Sequence, residues 1–256
     1  MKIQFIGTGS GKTSLLRAHS SFIISEKKNH ILVDCGDGIS RALLLQDVDF
    51  LSIDSIVISH LHPDHYSGLP LLLSQMKMNG RKSELKIFVH TSLEEFLKRF
   101  LRQSYIFNER MGYEITFHGF NHTQPFNICE KINCISKPNT HLHKYKSSDQ
   151  QNELSFESSG FLFTSNSTSL YYTGDVGSAD DLSLFDDLDY DCLITETTHI
   201  SIPDLISFIE KREITKVFLT HIGDEVEDEL RLMLKQLPVN LKSKIVLSFD
   251  GMVTEI

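Results

Sequence analysis

The stretch SIVISHLHPDH at residues 55–65 places three histidines and an aspartate directly after an apolar strand. His60 and His62 project to the same side of an extended chain, so both can reach one cation. Asp64 and His65 lie where the chain turns into a helix, which directs them toward a second cation. A buried cluster of this kind without a metal would leave costly unpaired polar groups. The motif therefore indicates a metal centre, in preference to a His-rich surface turn.

Three more potential ligands follow predicted strands further along the chain. Asp175 comes just after a strand predicted at 170–173, Glu196 follows the next strand, and His221 follows the one after that. Carboxyl ends of adjacent strands meet at one edge of a sheet, so these side chains are expected to converge on a single site.

Short apolar runs alternate with segments of helical spacing along the whole chain. This pattern predicts an α/β fold, with two sheets and helices outside them, in one domain over 1–256. Loops are predicted at 105–113 and 137–153. Strands are predicted at 3–6, 22–24, 31–33, 55–59, 87–89, 114–117, 160–163, 170–173, 192–195, 217–220 and 245–248, and helices at 38–46, 65–78, 93–103, 203–212 and 225–237.

The composition excludes several classes of protein. With 256 residues, 40% hydrophobic and 23% charged, the chain is neither collagen-like, disordered nor a disulfide scaffold. Its net charge of -9 argues against a protein that coats nucleic acid or an anionic membrane. The first 128 residues carry 14 Lys and Arg against 12 Asp and Glu, whereas the rest carry 11 against 22.

Localisation is predicted from what the sequence lacks. The N-terminus has no long apolar region, and no run reaches the roughly 18 apolar residues of a membrane span, so a cytoplasmic protein without membrane contact is expected. The four cysteines form no CxxC pair, which argues against a zinc knuckle or a redox motif.

A glycine-rich segment near the N-terminus resembles a phosphate-binding loop but does not match its consensus. The segment Gly7-Thr-Gly-Ser-Gly-Lys-Thr13 would need a glycine five residues before Gly11, and that position holds Ile6. A strand rather than a helix is predicted to follow, so no helix dipole would meet a phosphate. We interpret the segment as a tight turn.

Four motifs together resemble the metallo-β-lactamase family across nearly the whole chain: HLHPDH at 60–65, LVDCGDG at 32–38, YTGD at 172–175 and LTHI at 219–222. Three others, GTGSG at 7–11, SHLHPDHYSGLP at 59–70 and FDGM at 249–252, are most similar to the branch of ribonuclease Z and small cyclic phosphodiesterases. The resemblance implies an αββα sandwich, in which two mixed β-sheets are flanked by helices and two metals lie at the edge between the sheets.

The resemblance also implies a role for each site residue. Two Zn²⁺ are expected, with Mn²⁺ as an alternative. His143 lies two residues from His141 and is an alternative ligand; His141 is preferred because Asn139-Thr-His-Leu is closer to the family pattern. His60, His62 and His141 would bind the first metal, Asp64, His65 and His221 the second, and Asp175 would bridge them.

Proton transfer is the role that the resemblance implies for His199, which would assist the leaving group while Glu196 orients it. The alternative for His199 is a helix-start or surface residue. No role at the site is assigned to the other six histidines, which are His19, His30, His90, His118, His122 and His143.

Phosphodiester hydrolysis suits this arrangement best. Two zinc-type cations about 3.5 Å apart lower the pKa of a water between them, so a hydroxide nucleophile is available near pH 7. Asp64 would orient that hydroxide, and His199 would protonate the departing alkoxide. A thioester hydrolase or β-lactamase uses the same type of metal centre, and a non-catalytic sensor is a further alternative.

The length of one segment favours a small substrate. Ribonuclease Z carries a Gly- and Pro-rich arm for tRNA between the metal histidine and the bridging aspartate, whereas only 33 residues separate His141 from Asp175 here. The chain therefore resembles the armless cyclic nucleotide phosphodiesterases, including the anti-Pycsar type that destroys cyclic pyrimidine signals such as cCMP and cUMP. A tRNA 3′-processing endonuclease is the alternative, and large RNA is not the expected partner.

Two further expectations concern the substrate's surroundings and the assembly. The resemblance implies a homodimer. A cluster of basic and aromatic residues has two interpretations. It could form a lid that stacks a base and binds phosphate, or it could belong to an amphipathic helix followed by a packed loop. The residues are Lys98, Arg99, Arg102, Tyr105, Phe107 and Arg110.

Overall fold

Alternating apolar residues build two seven-stranded β-sheets in the computed structural model, which describes residues 1–166 and 168–256. The strands are β1 (Lys2–Gly7), β2 (Ser21–Glu26), β3 (Asn29–Val33), β4 (Ser55–Val57), β5 (Leu85–His90), β6 (Ile115–Phe120), β7 (Pro125–Cys129), β8 (Ile132–Pro138), β9 (Ser159–Thr164), β10 (Ser169–Tyr172), β11 (Cys192–Glu196), β12 (Lys216–Thr220), β13 (Ile245–Leu247) and β14 (Val253–Glu255).

Helices connect most of the parallel strands. The α-helices are α1 (Ile39–Leu45), α2 (Pro63–Tyr66), α3 (Leu69–Met78), α4 (Thr91–Gln103), α5 (Asn108–Met111), α6 (Ile202–Glu210), α7 (Glu227–Gln236) and α8 (Val239–Lys242). Short 3₁₀ helices occupy Phe50–Ser52, His141–Ser148 and Ala179–Ser183. Among the described residues, none of these helices is long and apolar enough to cross a membrane.

The two sheets share one pattern of strand pairing. The first runs in the order β14-β1-β2-β3-β4-β5-β6 and the second in the order β13-β12-β11-β10-β9-β8-β7. In each sheet one half is antiparallel and the other, β3 to β6 or β10 to β13, is parallel. The carboxyl ends of the parallel strands therefore share an edge of each sheet, where ligands of α/β proteins bind.

Side chains of alternating direction fill three apolar layers. Phe22 of β2 and Ile194 of β11 point into the layer between the sheets, whereas their neighbours Ile23 and Leu193 point outward. The outward residues pack against helices, α1, α3 and α4 on the first sheet and α6, α7 and α8 on the second. This arrangement confirms the predicted αββα sandwich of two mixed sheets.

Several predicted elements were wrong in detail. The single helix predicted at 65–78 is two helices, α2 and α3, which meet at Ser67 and Gly68. Gly68 packs against the LVDCGDG segment, where a Cβ would be 2.1 Å from the Gly36 carbonyl oxygen, so only glycine fits there. The loop predicted at 137–153 begins with the end of β8 and contains a 3₁₀ helix, and the loop predicted at 105–113 contains α5. Three strands were missed: the inner strand β8 and the edge strands β7 and β14. The two edge strands are half exposed and so lack a strong apolar pattern.

Candidate metal centre

The HLHPDH motif has the shape that its sequence predicts. The chain stays extended beyond β4 as far as His62, and Pro63 then starts α2, where its fixed φ suits the first helical position. His60 is fully buried and His62 half buried, and their ring centroids are 4.8 Å apart. The turn into the helix brings Asp64 and His65 to the other side of the motif.

All seven predicted metal ligands meet at the carboxyl edge of the parallel strands. Within each of two groups, every residue offers a ligand atom within 4.8 Å of the others. Asp175 belongs to both groups, directly after Gly174, whose φ of +62° turns the chain out of β10. The first group is His60, His62, His141 and Asp175, and the second is Asp64, His65, Asp175 and His221.

The distances in the second group suit a tetrahedral metal site. Oδ2 of Asp175 lies 3.2 Å from Nε2 of His221 and 3.4 Å from Nε2 of His65. Oδ2 of Asp64 lies 3.4 Å and 3.3 Å from the same two nitrogens. Ligands about 2.0–2.1 Å from a tetrahedral ion lie about 3.3 Å from one another. The buried Nε2 atoms of His60 and His65 make no hydrogen bond, so the residues fit a divalent cation.

Donor atoms of the first group also lie at distances that a shared metal ion would span. Nε2 of His141 lies 3.0 Å from Nδ1 of His62 and 3.7 Å from Oδ2 of Asp175. Nδ1 of His141 is 3.2 Å from the Val176 carbonyl oxygen, to which it can donate, and this tautomer leaves a lone pair on Nε2. The geometry thus gives this group the same ligand chemistry.

A layer of polar residues behind the ligands was not predicted from the sequence. Asp34 accepts a hydrogen bond from Nδ1 of His65 at 2.8 Å and others from Ser59 and Tyr172. Thr198 Oγ1 lies 3.0 Å from Nδ1 of His221. Such partners orient a ligand histidine and fix its tautomer. The position of Asp34 directly after β3, at the same sheet edge, is the signal in the sequence that could have identified it.

Burial and neighbouring charges shift the pKa values at this centre. Burial, with His65 next, holds the pKa of His60 well below its usual range, and burial lowers the pKa of His141 to about 4. Burial alone would raise the pKa of Asp175, but His221 and His65 outweigh it and hold it well below the ordinary value. Burial alone would lower the pKa of His65 and His221, but the adjacent carboxylates, Asp175 first among them, outweigh it and raise the pKa of both. Neutral imidazoles and ionised carboxylates are the forms that bind metal, so a cation bound here would displace the protons that Asp175 favours on these two rings.

His199 and Glu196 form the predicted pair beside this centre. Nδ1 of His199 lies 3.0 Å from Oε1 of Glu196, and the backbone N–H of His199 donates to Oε2 at 2.8 Å. Glu196 is buried, whereas 29% of the His199 side chain is exposed. The His199 ring centroid is 4.7 Å from that of His141, so the exposed part of the ring borders the metal ligands.

His141 and His143 differ sharply in position, which allows a direct test of the first ligand group. His141 is 1% exposed within the group, whereas His143 is exposed to solvent. We expect His141→Ala to weaken metal binding by at least about 100-fold, since loss of an outer partner alone costs about 10–100-fold. His143→Ala should bind metal as the wild type does. Equilibrium dialysis with metal analysis checks both, and equal effects of the two variants would contradict the assignment.

The αββα layers and the His/Asp centre at the sheet edge define a hydrolase of the metallo-β-lactamase fold. Within that class the chain belongs to the family described as anti-Pycsar protein Apyc1, whose model matches residues 1–232. The first step confirms the resemblance carried by HLHPDH, LVDCGDG, YTGD and LTHI, and the second confirms the resemblance to the anti-Pycsar type.

Known proteins resemble the chain over most of its length. Ribonuclease Z of Methanococcus aeolicus is 25% identical in an alignment that is 295 residues long with its gaps, covering 95% of this chain and 91% of that protein. Ribonuclease Z sequences of higher identity align with about half of this chain and less than half of their own length.

Two solved structures share the fold over nearly all of both chains. Human tRNase Z, short form, has a TM-score of 0.73 at 20% identity and covers 100% of this chain and 99% of its own. A diphosphatase from the PhnP family has a TM-score of 0.74 at 20% identity, with coverages of 100% and 97%. At such identity these likenesses show the fold.

Proposed function

We propose that the protein is a phosphodiesterase that uses two divalent cations, zinc or manganese, to hydrolyse a small phosphodiester, with a cyclic nucleotide as the substrate. The observation that carries the proposal is the partly exposed His199, held by the buried Glu196, beside a largely buried set of seven potential metal ligands. When bound, two such cations supply Lewis acidity and a water that ionises near neutral pH. The names of the tRNase Z and diphosphatase neighbours, which both indicate phosphate chemistry, support the choice of bond.

The chain's own residues divide the remaining work between them. Asp64 carries a carboxylate at the open side of the ligand set, 12% exposed, where it can orient the attacking water. Glu196 accepts from Nδ1–H of His199, which directs the other ring nitrogen toward the site. From that nitrogen His199 donates a proton to the departing alkoxide, and Glu196 stabilises the charged ring before transfer.

A cleft beside His62 has the size of a nucleotide site. Its volume is about 660 Å³, within the range of pockets for small ligands. Phe96, Tyr145 and Leu154 line it, and the Tyr145 ring meets His62 edge to face at 5.6 Å. Arg99 also lines it, so an aromatic surface for a base and a cation for a phosphate are both present.

The lining of this cleft helps to choose between the two interpretations of the six basic and aromatic residues, a substrate lid or a helix with a packed loop. Arg99 lines the cleft, but the other five residues do not. Arg102 instead packs over the Phe107 ring at 6.0 Å, and Tyr105 is 84% exposed. The contact between Arg102 and Phe107 favours the alternative of an amphipathic helix followed by a packed loop, in which Tyr105 is exposed. Arg99 is then the residue of this set that faces the substrate.

A larger cavity of about 990 Å³ lies elsewhere, among acidic residues that include Asp186, Asp189 and Asp191. Carboxylates of this density repel a phosphate, so we place the substrate in the cleft beside His62.

Ribonuclease activity on precursor tRNA is the second candidate, favoured by the likeness to ribonuclease Z. The 33 residues between His141 and Asp175 argue against it, because the 3₁₀ helix His141–Ser148 and the strands β9 and β10 occupy much of that segment. No tRNA-gripping arm is found among the described residues of this segment, 142–166 and 168–174.

A substrate panel tests the proposal. Metal-loaded protein should hydrolyse 3′,5′-cyclic nucleotides with kcat/KM of about 10⁴ M⁻¹s⁻¹ or more, in the ordinary range of enzymes, and fastest for cCMP or cUMP. It should leave a precursor tRNA and a thioester uncut. Cleavage of the tRNA at its 3′ end with no cyclic nucleotide turnover would assign the ribonuclease function. Failure of every substrate with fully loaded protein would favour a sensor.

A further inference from the structure

We propose that His90, His122 and Glu157 form a third metal site, separate from the His/Asp centre, which binds one zinc-type ion and holds the segment 149–158 against the first sheet. Each of the three residues offers a ligand atom within 4.8 Å of the other two. Two imidazoles and one carboxylate are a ligand set typical of zinc, with a fourth position left for water.

The three residues come from separate elements that end at one place. His90 is the last residue of β5, His122 follows the edge strand β6, and Glu157 leads into β9 of the second sheet. A metal here would therefore join the edge of one sheet to the entry of the other. Ligands from distant parts of the chain couple the binding of the metal to the ordering of those parts.

The distance between the donor atoms of His122 and Glu157 suits a shared ion better than an ordinary ion pair. The His90 and His122 rings stack with centroids 4.4 Å apart. Nδ1 of His122 lies 3.4 Å from Oε2 of Glu157, longer than a good N–H···O hydrogen bond but close to the roughly 3.3 Å between two ligands of a tetrahedral ion. Burial and the adjacent His90 lower the pKa of His122 to about 4, so a cationic ring is not the partner of Glu157 near pH 7.

Hydrogen bonds on the far side of each ring would orient the nitrogens. Nδ1 of His90 lies 2.9 Å from Ser92 Oγ, and Nε2 of His122 lies 3.0 Å from Ser159 Oγ. If Nε2 of His122 donates its proton to Ser159, Nδ1 has a free lone pair on the side of Glu157, the second-shell pattern of a histidine ligand. Nδ1 of His90 also lies 3.4 Å from the Ser92 backbone N–H, which it accepts as the cap of α4. Metal binding through Nε2 of His90 therefore requires the tautomer in which Nδ1 donates to Ser92 Oγ in place of this long contact.

The site would act on the substrate cleft through the segment that carries Glu157. Ser155 and Leu154, in this segment, line the cleft beside His62, and Ser155 Oγ is 2.6 Å from Ser92 Oγ. An ion at Glu157 would therefore fix one wall of the cleft, without touching the dinuclear centre.

Metal analysis of three variants tests the site. After loading with zinc and dialysis, we expect His122→Ala and Glu157→Gln to retain one ion fewer per chain than the wild type. His118→Ala, which changes an exposed histidine of β6, is the matched control and should retain the wild-type number. Glu157→Gln keeps both rings and nearly the same shape, so it remains informative if His122→Ala fails to fold. Equal metal content in the wild type and folded Glu157→Gln would overturn the proposal.

A second readout separates this site from the dinuclear centre. Hydrogen–deuterium exchange of residues 149–158 should slow on addition of zinc to the wild type, and this slowing should be absent in Glu157→Gln. It should persist in Asp175→Asn, whose substitution lies in the other centre. Slowing in Glu157→Gln equal to that of the wild type would contradict a metal at this place.

Discussion

Asp175→Asn should lose at least one bound metal ion per chain and about 10³-fold in the rate of diester hydrolysis, or about 4 kcal/mol of transition-state stabilisation. Asp175 is the one residue that belongs to both ligand groups, and its Oδ2 lies within 3.7 Å of ring nitrogens from His65, His141 and His221. The amide keeps the shape of the side chain but removes the charge that draws two cations to one point. Metal analysis and steady-state kinetics measure both effects.

The control for this variant is Asp180→Asn, an exposed carboxylate in the same acidic half of the chain. It should keep the metal content and the rate of the wild type. Circular dichroism should show that both variants are folded. A folded Asp175→Asn protein with full metal content and undiminished rate would show that the ions are not held between the two ligand groups.

His199→Ala should lower the rate on a cyclic nucleotide by about 10²–10⁴-fold, the usual contribution of general acid catalysis, while metal content stays unchanged. The ring is held by Glu196 at 3.0 Å. It lies outside the two groups that contain Asp175, although it also forms a group of possible ligands with Glu196 and His221, so the metal content of the variant is measured as well. An alkoxide leaving group needs the proton that His199 supplies. The nitrophenolate of bis(p-nitrophenyl) phosphate does not, so hydrolysis of that substrate should fall far less.

The rate on a cyclic nucleotide, divided by the rate on bis(p-nitrophenyl) phosphate, distinguishes a proton donor from a structural residue. If His199 only supported the fold, its removal would slow both substrates alike and lower the metal content. Glu196→Gln should show the same substrate dependence in weaker form, because it leaves the ring in place but alters its orientation and charge. Equal losses on both substrates with His199→Ala would contradict the assigned role.

The layers of the fold and the place of the site followed from local patterns. The apolar strand before His60, and a His or carboxylate at or just past the ends of β10, β11 and β12, were enough to predict one convergent edge. This inference succeeded because the ends of parallel strands share an edge whatever the rest of the chain does.

Contacts between distant segments could not be predicted in the same way. The hydrogen bond that His65 donates to Asp34 joins residues 31 positions apart. The close approach of Gly68 to Gly36 depends on how the segments around these two glycines pack. The edge strands β7 and β14 carry too little apolar alternation to be recognised. The sequence contains no motif that links His90, His122 and Glu157. These residues come together because β5 pairs with β6 and because β9 starts nearby.

The most direct test of a metal-dependent diesterase is the hydrolysis of 3′,5′-cyclic CMP by metal-free protein as zinc or manganese is added back. The ligand set of His60, His62, Asp64, His65, His141, Asp175 and His221 predicts no turnover without metal. It also predicts a rate that rises and levels off once two ions occupy this centre. Hydrolysis by metal-free protein at the full rate, or no hydrolysis by protein with both ions bound, would contradict the account.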